Sequence, residues 1–581
     1  MTLSDTARLL SPRRKSTQAA DVDSLVLEQL AHFGIDPATD FGKSLGSVAR
    51  SLYVAANDVE KLWSTTLSQL HSLDRRDRIA WFNAKKFLGF QLAKLLDNVQ
   101  NPLRRSYQGL GYSLDTNLAK GPYAPLDNVA AIFSATPVIA RTATYIYACA
   151  EWIEDAFEGK ELLLEIYSRL LNPTSIALAN AIVDLECGPL ATDYFAWNFG
   201  SGMAAIDAVL SHLLGRDDVL ITSRNIYGGA HQLIYDWFAK PGNLAVKVEH
   251  FDGFDDASLN ACLDETGRKY GAFLDEGRHG YVYLESPCNP HGDVLDVPAI
   301  CRAAHARGLR VILDATVATP FLSRPLQHPD ELARPDFVIH SYTKDLSGAG
   351  SVTGGVVIAR NRDMFLPKGS PGWDQTLFWN VYYVKGGFLH PDSAYAVMDG
   401  LKTLEQRMLT KCINTRILSR FLASHPQITV NCGELESHPN HAIMARTNHL
   451  GLPAPLFTAD FGKVPREAFV RFFDSLSPTF AHMISLGQCN TIISCPALTT
   501  HSELSESQQR AAGISPTMVR IAIGNENPLD LIDHLIATAE FAIDPAVPGF
   551  SSRFMSREEA KALVKRIHVD THARYIEAKC E

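Results

Sequence analysis

The chain predicts an α/β protein with a large, mostly parallel sheet domain, a smaller C-terminal α+β domain and an extra N-terminal helical extension. Three observations lead there. Residues 1–120 carry helical periodicity only. Between 121 and 400, short β-rich runs alternate with helical patterns. From 401 to 545 the alternation continues with fewer apolar residues per element, and a helical tail is expected over 546–581.

In the extension, Leu45, Val48, Leu52, Ala55, Val59 and Leu62 recur at three- and four-residue spacing, which lines one face of a helix. The charged run Asp74-Arg75-Arg76-Asp77-Arg78 breaks the pattern, and Leu88, Leu92, Leu95 and Val99 form a second stripe. Two such helices are expected to pack as a hairpin. No catalytic constellation falls here, so the expected role is packing or oligomerisation, with regulation or partner binding as the alternative. The β-rich runs begin at Val219, Val246, Tyr281, Val311, Phe337 and Val356. Continuous apolar strands separated by helices are covered on both faces, as in parallel sheets. Ligands of such sheets sit at the carboxyl ends of the strands. The last stretch, residues 556–581, reads as a charged amphipathic helix.

Composition narrows the function. Apolar residues make up 46% and charged residues 20%, which excludes disordered and fibrous classes. The formal net charge of −10 argues against a nucleic-acid partner, which requires clustered Lys and Arg. No stretch approaches the ~18 uncharged apolar residues of a membrane span. The N-terminus lacks the apolar core of a secretory signal, while its Arg and Ser content leaves a mitochondrial leader open. Ten cysteines contain no Cys-x-x-Cys pair, so no metal site is expected. Their number suits a reducing cytosol, and a cytoplasmic location is expected.

Three segments carry chemistry. Gly200-Ser201-Gly202-Met203 ends a strand-like run and opens a helix, whose exposed N–H groups and positive dipole end favour a phosphate. Taken alone, such a turn is more often a linker. Asp314 directly follows Val311-Ile312-Leu313, and a carboxylate there points into the ligand crevice or caps the next helix. In Ser341-Tyr342-Thr343-Lys344, a lysine follows a strand between hydroxyls, which suits Schiff-base chemistry beside a phosphate. In this order the three provide what pyridoxal phosphate requires: an anion cradle, a partner for the pyridinium nitrogen and an aldehyde-binding amine.

At these residues the chain resembles the Cys/Met-metabolism, or trans-sulfuration, family of pyridoxal-phosphate enzymes. That family contains methionine γ-lyase, cystathionine γ-lyase and γ-synthase, and O-acylhomoserine sulfhydrylase. The resemblance runs in order over roughly residues 125–545. It includes Tyr167-Ser168-Arg169, Ser201-Gly202-Met203-Ala204-Ala205, Tyr227-Gly228-Gly229, Glu285-Ser286-Pro287-Cys288-Asn289-Pro290, Asp314-Ala315-Thr316, Ser341-Tyr342-Thr343-Lys344, Ser485-Leu486-Gly487, Thr499-Thr500-His501 and Arg520. It implies fold type I of the pyridoxal-phosphate-dependent transferases, with the cofactor held by residues 121–400. It further implies that Lys344 is the Schiff-base lysine and the mobile acid/base, that Asp314 pairs with the pyridine nitrogen, and that Tyr227 stacks on the ring. Gly202, Met203, Ser341 and Thr343 would hold the phosphate, with Thr316 beside them. Asn289 would bond the ring oxygen or the substrate carboxylate, and Arg520 would take that carboxylate, with Ser485 and Ile484 lining the substrate side. Tyr167 and Arg169 would reach the phosphate of a neighbouring subunit, which implies a dimer or homotetramer.

The implied reaction is γ-elimination or γ-replacement on an amino acid of the methionine, homocysteine or O-acylhomoserine type. A β-lyase, a cystathionine γ-lyase or γ-synthase, and a catalytically quiet binding homologue stay open. Four departures shape the choice. Ile484 stands where cystathionine enzymes often have Glu, which disfavours a distal ammonium. Gly229 stands where methionine γ-lyases usually have Cys. Ser347-Gly348-Ala349 replaces a typical Gly-Gly-His. Asp345 beside the lysine is unusual and could shift its pKa.

Overall fold

The computed structural model describes residues 19–69, 71–104, 111–120, 131, 134–145, 147, 150–157, 166–498 and 515–580. The expected Thr499-Thr500-His501 segment lies outside them. The chain forms two compact units, residues 1–172 with 367–373, and residues 173–366 with 374–581.

The first unit is mostly helical where described, with non-helical chain over 134–145 that forms an isolated antiparallel bridge between Thr144 and Tyr167. Helix α1 (Val22–His32) starts on a capping box in which the Asp21 carboxylate and Ser24 satisfy each other's backbone N–H groups. Helices α2 (Asp40–Gln69) and α3 (Arg75–Arg104) occupy the two predicted stripes. Most of the residues in those stripes do not form a buried seam. Leu45, Val48, Leu52, Leu62, Leu92 and Val99 are exposed. Instead α1 packs on α2, and a small core of Val22, Leu25, Val26 and Leu30 gathers Ile35, Ala49 and Tyr53. Contact between α2 and α3 includes the Lys85 ammonium 5.8 Å over the Trp63 ring.

The second unit opens with α4 (Pro173–Cys187) and holds a seven-stranded sheet. Its strands are β1 (Tyr194–Phe199), β2 (Val219–Ser223), β3 (Lys247–Phe251), β4 (Gly280–Glu285), β5 (Arg310–Asp314), β6 (Phe337–Ser341) and β7 (Gly355–Arg360), in the order β1-β7-β6-β5-β4-β2-β3. The run β6-β5-β4-β2-β3 is parallel, and β7 is antiparallel to both its neighbours. All six predicted runs fall on strands. The central strands are buried along almost their whole length, as continuous Val/Ile/Leu runs require. Helix α5 (Gly202–Leu213) follows β1 and packs on β6 and β7.

Beyond the sheet, α6 (Leu404–Ala423) is almost wholly buried. A second, five-stranded sheet has the order β10-β11-β12-β9-β8, with β8 (Thr429–Asn431), β9 (Leu456–Asp460), β10 (Ala481–His482), β11 (Ile492–Ser494) and β12 (Met518–Ala522). One buried cluster continues from Leu178 on α4, through both sheets, to Ile567. The expected tail is a packed helix. Helix α8 (Arg557–Cys580) buries Ala560, Leu563, Ile567 and Thr571 and packs on α6 and α7 (Pro528–Ala542). Its amphipathic pattern is therefore a docking face.

Candidate active site

Three parallel strands end at one place. Glu285 and Asp314 are register partners at the carboxyl ends of β4 and β5, and β6 ends at Ser341. After Ser341 the chain makes a wide helical turn, Tyr342–Leu346, interrupted at Lys344 with φ −95° and ψ −140°. Tyr342 anchors the turn from below: its buried hydroxyl donates to Asn198 Oδ1 at 2.7 Å. The interruption lets Tyr342 enter the core while Lys344 faces a cavity of about 230 Å³.

That cavity brings together twelve of the residues expected from the sequence: Gly202, Met203, Tyr227, Asn289, Asp314, Thr316, Ser341, Thr343, Lys344, Ile484, Ser485 and Arg520. Tyr167 and Arg169 lie in the other unit, where the Arg169 guanidinium sits 5.6 Å from the Tyr167 ring centroid.

On one side, Ser201 caps α5 by accepting from Ala204 N–H at 3.0 Å. The backbone N–H groups at the start of α5 lie at the positive end of the helix dipole. Beside them, the Thr316 hydroxyl accepts from Ser341 N–H at 2.9 Å, and Thr343 Oγ1 accepts from Gly354 N–H at 3.1 Å. Across the cavity, Lys344 Nζ donates to Ser485 Oγ at 3.2 Å. Arg520 donates from Nη1 to Asn289 Oδ1 at 3.2 Å and from Nη2 to the Ser485 carbonyl at 2.6 Å. Its Nε is buried with no partner among the described residues. Tyr227 stands at the rim, and Gly229 gives it room: a Cβ at 229 would lie 2.7 Å from the ring and 2.9 Å from Met203 Sδ.

Electrostatics follow from burial. Burial, then Arg520, lowers the Lys344 pKa and favours the neutral amine, against the opposing pull of Asp345 and Asp314. Burial also raises Asp314, with the Thr316 N–H and hydroxyl working the other way. Arg520 is pulled down to about 10 by burial.

Two residues here received no role from the sequence. Glu285 is buried and holds two site segments, because Tyr227 N–H donates to Oε2 and Asn289 N–H donates to Oε1 at 2.9 Å. Burial and then Asp314 raise its pKa strongly. Its signal was the one that marked Asp314, a carboxylate at a strand end. The other is Lys411 on α6, fully buried and 2.6 Å from Asp345 Oδ1. Its signal was a charge on the mainly apolar row of Leu404, Met408, Leu418 and Leu422.

A family model described as "Cys/Met metabolism PLP-dependent enzyme" matches residues 126–539. The chain belongs to this family. It is 30% identical over 412 residues to an L-methionine γ-lyase of Pseudomonas deceptionensis, covering 71% of this chain and 93% of that protein. It is 27% identical over 435 residues to an O-acetyl-L-homoserine sulfhydrylase of Leptospira meyeri, covering 69% and 91%. Among solved structures, a cystathionine γ-synthase of Xanthomonas oryzae pv. oryzae, in complex with cystathionine, superposes with a TM-score of 0.58 at 27% identity over 70% of this chain and 93% of that one. The fold is that of the type I pyridoxal-phosphate enzymes, and pyridoxal phosphate is the cofactor. The cavity fits it, with an amine, a buried carboxylate and a helix start flanked by hydroxyls. The enzyme class is C–S lyase or γ-replacing transferase, and γ-elimination or γ-replacement on a sulfur-containing or O-acyl amino acid is its chemistry. The family is typically oligomeric. No helix among the described residues is long and apolar enough to cross a membrane.

Proposed function

We propose that the substrate is an L-amino acid with an uncharged γ-substituent, of the methionine, homocysteine or O-acylhomoserine type, and that the twelve cavity residues act in the roles the family resemblance implies. The observation that carries this reading is Arg520. It is 3% exposed, its Nε lacks a partner among the described residues, and it shares the cavity with Lys344. A guanidinium so placed matches a carboxylate bidentately, which fixes the Cα–H bond toward the lysine. The apolar Ile484 at the rim, 71% exposed, offers nothing to a distal ammonium.

In this reading, the start of α5, Ser341 and Thr343 bind the phosphate, with Thr316 fixing the Ser341 backbone. Asp314 holds a proton on the ring nitrogen, and Tyr227 covers the ring. Bound pyridoxal phosphate supplies the electron sink that weakens the Cα–H bond. Lys344 Nζ carries the cofactor at rest and then takes the Cα proton, a role its lowered pKa suits. Ser485 Oγ, 3.2 Å away, orients that amine. Tyr167 and Arg169 complete the phosphate site of a neighbouring subunit in a dimer or homotetramer. The cytoplasm is the expected location, given that all described cysteines are free thiols.

The test is a keto-acid assay on the holoenzyme with L-methionine, L-cystathionine, L-cysteine and O-acetyl-L-homoserine, each with and without thiol. Lys344→Ala serves as the control. 2-Oxobutanoate from methionine without thiol supports elimination. Consumption of O-acetylhomoserine only with thiol supports replacement. Preference for cystathionine, or pyruvate from cysteine alone, overturns the substrate assignment. Ile484→Glu is expected to raise kcat/KM for cystathionine relative to methionine.

A further inference from the structure

Residue 345 is held from several directions. Its carboxylate pairs with Lys411 Nζ at 2.6 Å, and both side chains are shielded from solvent. Its carbonyl accepts from Arg407 Nη1 at 2.8 Å. Arg407 and Lys411 lie one turn apart on α6, so a single helix grips the backbone and the side chain of one residue. Gly487 packs against the same peptide: its φ is +80°, and a Cβ there would lie 2.5 Å from Asp345 N. The gripped residue directly follows Lys344, whose backbone leaves helical geometry. The pair is not a fully satisfied structural bridge, because Asp345 Oδ2 is buried without a partner among the described residues. Replacing a buried pair by apolar groups is often neutral for stability, so stability is a weak reason for this one.

We propose that the Asp345–Lys411 pair is a positioning device, which uses α6 to set the angle at which Lys344 presents its amine to the cofactor and substrate. This rests on the reading of Lys344 as the cofactor lysine. An amine displaced by about 1 Å can cost on the order of a hundredfold in rate while leaving substrate binding intact.

The test compares wild-type holoenzyme with Lys411→Met and with the double variant Asp345→Asn/Lys411→Met. Steady-state kinetics, thermal midpoint and visible circular dichroism of bound pyridoxal phosphate are the readouts. The single variant strands a buried carboxylate and is expected to lose stability. The double variant removes both charges and decides the question if the single one does not fold. Its expected behaviour is a thermal midpoint near wild type, KM within about twofold, kcat lowered about tenfold or more, and a visible dichroic band reduced by half or more. Wild-type kcat and dichroism in the double variant would overturn the proposal and leave the pair as packing. Borohydride reduction of wild-type holoenzyme that fixes the cofactor to a lysine other than Lys344 would instead overturn the assignment of the lysine, and the two failures are thereby distinct.

Discussion

Arg520 carries the specificity argument at the scale of single residues. A lysine at 520 would keep the charge and lose the planar fork. Arg520→Lys is expected to raise KM for every amino-acid substrate about tenfold or more, with a smaller change in kcat, measured by initial rates. Asp293 shows what burial does away from the chemistry. Burial pushes its carboxyl up to about 6, against a hydrogen bond from Asn431, and its Oδ1 lies 3.7 Å from His438 Nε2. The folded pKa is raised, so between about pH 4 and 6 the folded state binds more protons than the unfolded state. Stability therefore falls as pH rises through that window, and the full penalty, roughly 2–3 kcal/mol, stands above pH 6. Asp293→Asn is expected to raise the thermal midpoint at pH 8 by several degrees and by much less at pH 4.5. Equal gains at the two pH values would contradict this.

Among elements, α5 and α6 shape the site from opposite chemistries. The first offers a capped N-terminus to an anion. Ser201→Ala removes the acceptor for Ala204 N–H and is expected to cost about 1 kcal/mol of stability. If α5 cradles the phosphate, it also weakens pyridoxal-phosphate affinity, which fluorescence titration of the apoenzyme measures. The second is a buried helix that carries one lysine on a mainly apolar row, and its partner Asp345 is 66 positions away. The helices of the first unit are a different case. Their periodicity was legible, but most of their stripe residues, among them Leu45, Val48, Leu52, Leu62, Leu92 and Val99, remain exposed, because periodicity specifies an apolar face without specifying what covers it.

For the whole molecule, the exposed apolar residues of α2 and α3 argue that the extension serves assembly. Deleting residues 1–115 is expected to change the elution volume or solubility of the holoenzyme while the cofactor absorbance persists. Loss of that absorbance in a folded truncation would give the extension a part in the site. The family relation spans most of the second unit, and the residues before it have no counterpart in the matched range.

Strand runs, helical stripes and the chemistry at strand ends are local properties, and the sequence by itself determined them. A parallel sheet must place its strand ends on one side, so Asp314 and Lys344 were bound to face a common crevice once β5 and β6 were recognised. The ordered motifs also determined the family. Tertiary structure alone decided which distant groups meet. Arg520 and Asn289 are 231 positions apart and share a hydrogen bond. The unusual Asp345, read from sequence as a charge that could shift the pKa of Lys344, does pull it upward, and it is also paired with Lys411 across a helix packing that no local pattern encodes. The reason is physical: local patterns set which groups are offered, whereas burial and desolvation act on pairs, and a pair exists only after the chain has packed.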